Sequence, residues 1–95
     1  MPSAIRIITE SITPQSTTIS NTATAIPSSN TAHRRTLLVQ NYGSNIVYLG
    51  DSGVTTATGL KLEVGDILEF AMSDNVTLYG ITASGNSDIR TLEGL

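Results

Sequence analysis

Turn-forming clusters recur roughly every eight to twelve residues along most of this chain, and the segments between them are too short to be helices. The clusters are Gly43-Ser44-Asn45, Gly50-Asp51-Ser52-Gly53, Gly65-Asp66, Ser73-Asp74-Asn75 and Ser84-Gly85-Asn86-Ser87. No twelve-residue window shows apolar residues at helical spacing without a Gly or Pro interrupting it. Short strands joined by tight turns are what such a pattern permits. We therefore expect an all-β fold: a small antiparallel β-sandwich or jelly-roll-like barrel of about seven to eight short strands, with an extended N-terminal arm.

The segments between turns support this. Leu37 to Tyr42 and Ile46 to Leu49 are runs of β-formers around Gly43-Ser44-Asn45, which predicts two strands and a loop of hairpin length, with Gly43 free to take positive φ. Leu37, Leu38 and Val39 are consecutive, which predicts a central strand buried on both faces. Leu60, Leu62 and Val64 alternate with Lys61 and Glu63 as in a half-buried strand. Across Gly65-Asp66, Leu68 and Phe70 share a face, and a second hairpin is expected. Val76 to Ala83 is a strand in which Gly80 marks a bulge or a close backbone approach. In the last segment Ile89 and Leu92 fall on opposite faces, which predicts a terminal strand with a bulge.

The N-terminal third is different in kind. Between Glu10 and His33 there is no Lys, Arg, Asp or Glu, and Ser, Thr, Asn and Ala dominate, punctuated by Ile12, Ile19 and Ile26. We read residues 1–15 as an extended arm and residues 16–95 as the β-sandwich domain, with strands at 17–20 and 22–26 that pair across Asn21 or join separate sheets. Pro14 and Pro27 mark strand ends, because proline donates nothing to a ladder.

Composition removes whole classes of function. With 95 residues the chain is one domain with a thin core, and only 14% of its residues are charged against about 25% in typical soluble domains. Its surface is carried by Ser, Thr and Asn, which suits contact with other protein. The net charge of -3 argues against nucleic acid, and Arg34-Arg35, the single adjacent basic pair, is read as solvating the start of a strand. No apolar run reaches the length of a membrane span, and the first fifteen residues lack the pattern of a signal peptide. The absence of Cys excludes disulfides and thiol chemistry.

The search for chemistry returns little. His33, the single histidine, has no acid or Cys beside it in sequence. Asp51-Ser52-Gly53 lacks the alternating acids of a calcium loop and is read as a turn. Glu63, Asp66 and Glu69 gather around one hairpin, but Glu63 and Glu69 sit on polar strand faces and face solvent. We expect no catalytic, cofactor-binding or metal-binding residues, no cofactor, and no enzyme. Carbohydrate binding would want exposed aromatic rings; with no Trp and three Tyr, the expected role of Tyr48 and Tyr79 is to cap the core, ring inward and hydroxyl at the rim.

Certain residues carry a resemblance. Gln40-Asn41, Val47-Tyr48-Leu49-Gly50, Val54-Thr55-Thr56, Gly59-Leu60, Leu62, Gly65, Leu78-Tyr79, Ile81-Thr82-Ala83-Ser84-Gly85 and Leu92-Glu93 follow in the order seen in a group of small tailed-bacteriophage virion proteins, which residues 34–95 of this chain resemble. The resemblance implies a capsid decoration (cement) protein that binds the outer surface of a phage head and stabilises it through non-covalent β-rich contacts. It implies as partners the major capsid protein and other copies of the chain, as a homotrimer, with no nucleic acid, membrane or small-molecule substrate. The implied location is the capsid surface of a virion, after synthesis in the host cytoplasm. On this reading Ile5, Ile7, Ile8 and Ile12 form the subunit or capsid interface. The alternatives are a carbohydrate-binding or host-attachment module and a tail or baseplate adaptor.

Overall fold

The computed structural model describes residues 11–95. Eight strands form two four-stranded antiparallel sheets: β1 (Ile12–Ile19), β2 (Thr24–Ile26), β3 (Thr36–Asn41), β4 (Val47–Gly50), β5 (Leu60–Leu62), β6 (Ile67–Phe70), β7 (Leu78–Thr82) and β8 (Ser87–Gly94). Sheet A runs β1-β8-β3-β6 and sheet B runs β2-β7-β4-β5. Successive strands thus alternate between the sheets except at β4 and β5, which pair with each other in sheet B, and the pairings β1-β8, β2-β7, β3-β6 and β4-β5 wind the chain as a double Greek key, the jelly roll. Residues 12–15, placed in an arm by the sequence reading, are the first half of β1.

The alternation of each strand delivers the core. Ile19, Ile26, Leu37, Val39, Val47, Leu49, Leu62, Leu78 and Ile89 form one buried cluster between the sheets, with Leu68, Phe70 and Met72 packed against it. Every fully buried member is aliphatic, so the two sheets approach closely. Gly80 is required by that approach: a Cβ there would sit 2.6 Å from Ile26 Cδ1 and 2.9 Å from Val47 Cγ1. The expected close backbone approach at Gly80 is therefore what the fold contains.

Several expectations give way to the winding. The segments flanking Gly43-Ser44-Asn45 do not form a hairpin, since β3 lies in sheet A and β4 in sheet B; β5 and β6 are separated in the same manner. A four- or five-residue turn fits either outcome, and burial of the inward face decides for the crossing. The segments at 17–20 and 22–26 likewise enter separate sheets. Strand β3 is central, but it alternates: Leu37 and Val39 are buried while Leu38 points to the outer face. Strand β8 runs in unbroken register with β1 and β3, with no bulge, so Ile89 faces the core and Leu92 faces outward. Gly43 is not among the glycines with positive φ, which are Gly65 and Gly85.

The jelly-roll winding sorts the connections by length onto two ends. Four short turns, residues 20–23, 42–46, 63–66 and 83–86, meet at one end. The long loops, residues 27–35, 51–59 and 71–77, meet at the other, together with the start of β1 and the end of β8.

Candidate functional site

Each end is closed by a buried polar network. At the long-loop end, Arg34 and Glu93 form an ion pair at 3.0 Å with both side chains fully buried. All five guanidinium N–H groups donate: Nε to Met72 O, Nη1 to Asn30 Oδ1 and Glu93 Oε2, and Nη2 to Ser73 O and Val76 O. Glu93 accepts four bonds in return, from Gln15 Nε2 and Thr31 Oγ1 at Oε1, and from Thr31 N and Arg34 Nη1 at Oε2. Two loops, β8 and the start of β1 are thereby held in one geometry. Arg34 is 1% exposed, against its expected role at a solvated strand start; Arg35 beside it is exposed.

At the short-turn end Asn41 does similar work. Its Nδ2 donates to Asn45 O and Leu62 O, and its Oδ1 accepts from Ser87 Oγ and Gly43 N, so one buried amide ties β3, β5 and two turns together. Asn41 and Glu93 both lie among the positions that carry the resemblance, which gives those positions a structural reason.

The ionisable residues weighed in the sequence serve turns and surface. His33 is exposed, with φ of 65°, and its backbone N–H donates to Asp74 Oδ2 at 3.0 Å. Asp51 caps a turn through Gly53 N, at 2.9 Å. Across the β5–β6 turn Glu63 N donates to Asp66 Oδ2 at 3.0 Å and Asp66 N donates to Glu63 O at 2.9 Å, and both residues stay exposed, while Glu69 lies on the outer face of β6. Among the described residues no three His, Asp or Glu side chains gather as metal ligands. The buried ionisable pair, Arg34 and Glu93, has no hydrogen-bonding capacity left for a substrate.

What the fold does present is a patterned surface. Of the expected interface residues, Ile5, Ile7 and Ile8 lie outside the described residues, and Ile12 is 55% exposed on the outer face of sheet A. Register places Pro14 opposite Leu92, Leu92 opposite Leu38, and Ile67 on the diagonal from Leu38. Ile12, Pro14, Leu92, Leu38 and Ile67 therefore make an apolar diagonal across all four strands. Beside it, Arg90 stacks on the ring of Tyr42 at 4.5 Å and pairs with Asp88 at 2.9 Å; the hydrogen bond to Asp88 raises the guanidinium pKa above its ordinary value. Tyr42 is 62% exposed. Apolar residues next to an exposed Tyr and Arg are the composition of a protein-docking face. Leu38 and Leu92 were legible in sequence as apolar, but their outward direction was not.

Tyr48 and Tyr79 depart from the core-capping role expected of them. Their strand neighbours Val47, Leu49, Leu78 and Gly80 face inward, so both rings stand half-buried on the outer face of sheet B.

The class defined here is a jelly-roll β-sandwich with a mixed apolar and Tyr/Arg outer face and two polar-locked ends. Comparison with protein-family models, with curated proteins and with solved structures gives no match.

Proposed function

We propose that this chain is a structural virion protein, a capsid decoration protein that binds the outside of a phage head and stabilises it without catalysis. Its partners are the major capsid protein and other copies of itself, arranged as a trimer, and its place is the capsid surface after synthesis in the host cytoplasm. The observation that carries the reading is the apolar diagonal on sheet A, which begins at the predicted interface residue Ile12 and so continues the Ile-rich sequence that precedes β1. Jelly rolls serve as viral capsid domains among other uses, an analogy at the level of fold that agrees with the reading. The Arg34–Glu93 lock lies at the end where β1 begins, so the docking face is held rigid and loses little entropy on binding. Repetition over a symmetric shell then multiplies modest contacts.

The test is co-sedimentation with phage heads that lack the protein, followed by the temperature at which those heads rupture. The wild-type chain is expected to pellet with heads and to raise that temperature. Ile12→Asp and Ile67→Asp, both at exposed positions, are expected to melt like wild type yet bind heads at least about tenfold more weakly, as for truncation of a hot spot. Wild-type protein that stays in the supernatant, or variants that pellet equally well, would refute the proposal.

A further inference from the structure

We propose that the short-turn end holds a binding site for a neutral sugar, in the groove between the turns 42–46, 63–66 and 83–86. The groove has a volume of about 290 Å³ and is lined by Ser44, Asn45, Ile46, Tyr48, Val64, Ala83 and Ser84. It does not depend on the docking of sheet A, since it opens on the outer side of sheet B.

Its chemistry is that of a surface meant for a polyol. A sugar ring presents a C–H face and a rim of hydroxyls, and it needs an aromatic or apolar wall beside unspent hydrogen-bonding groups. The Tyr48 ring supplies that wall, joined by Ile46, Val64 and Ala83. Ser44 Oγ, Ser84 Oγ and the Tyr48 hydroxyl have no partner among the described residues. Asn45 spends its Nδ2 on Asn86 O at 2.7 Å, which fixes the amide and leaves Oδ1 as an oriented acceptor.

Two further observations bear on the site. Asn41 Nδ2 donates to Asn45 O and Asn45 Nδ2 donates to Asn86 O, so two of the three turns are held in place before any ligand arrives. No Asp, Glu, Lys, Arg or His lines the groove, while Glu63 and Asp66 flank Val64 in the same turn. Those carboxylates repel an acidic sugar, and hence the ligand class is neutral.

The experiment is an amide chemical-shift titration with methyl galactoside and methyl glucoside to about 50 mM, the range in which single sugar rings of weak affinity are read. It is run beside an array of neutral and sialylated glycans. Shifts confined to the three turns and retention of neutral glycans are expected. Tyr48→Phe should weaken binding about fivefold by deleting one hydrogen bond. Ser84→Leu, at an exposed turn position, should abolish binding by filling the groove while the melting temperature holds. Four outcomes would overturn the site: no shifts with either glycoside, shifts elsewhere on the molecule, retention of sialylated glycans only, or Ser84→Leu binding like wild type.

Discussion

At the scale of single residues, the molecule is governed by which polar atoms find partners. Asn41, Arg34 and Glu93 are nearly fully buried and fully bonded. Thr17 is the contrast: it is 8% exposed, faces the core from β1, and its Oγ1 has no partner. Burying an unbonded hydroxyl costs about 1–3 kcal/mol, and Val has the same branched shape without it. Thr17→Val is therefore expected to raise stability by up to about 1 kcal/mol, read as a shift of the urea midpoint at constant slope. An unchanged or lower midpoint would mean that the hydroxyl is satisfied in solution.

At the scale of elements, β1 is an edge strand among the described residues, and it manages its own exposure. Leu95 N donates to Ser11 O, and the register then makes Thr13, Gln15, Thr17 and Ile19 the positions bonded to β8. Ile12, Pro14, Ser16 and Thr18 turn their backbone groups to the open side. Pro14 is thus placed where its missing N–H costs the ladder nothing and removes one donor from the open edge. The notion that Pro14 ends a strand was wrong for that reason: proline is excluded from bonded positions, and this one is unbonded. Pro14→Thr restores the donor in a run of strand formers. It is expected to drive edge-to-edge association, seen as larger species in sedimentation velocity at concentrations where the wild type shows none.

At the scale of the whole molecule, the Arg34–Glu93 pair joins parts far apart in sequence, and its cost and benefit are collective. Removing one partner strands the other as a buried charge, at about 3–5 kcal/mol, a large share of the stability of a domain this size. Arg34→Met is expected to lose about that much in urea unfolding. Arg34→Met/Glu93→Met removes both charges and is expected to be less destabilised than Arg34→Met alone; simple additivity of the two single changes would rule out stranded charge as the mechanism.

The sequence by itself determined strand content, turn positions and the aliphatic set that became the core, because period-two patterning and Gly, Asn and Asp turn chemistry act over a few residues. Leu37, Val39, Val47, Leu49 and Leu62 were readable as core on those grounds. Only the tertiary structure decided that β3 and β4, and β5 and β6, part into different sheets, since a short turn is compatible with either and burial of both inner faces settles it. It also decided the outward direction of Leu38, Leu92 and Tyr48, and the burial of Arg34 against Glu93. Those outcomes depend on which strands become neighbours, and pairing between positions 59 residues apart leaves no local trace.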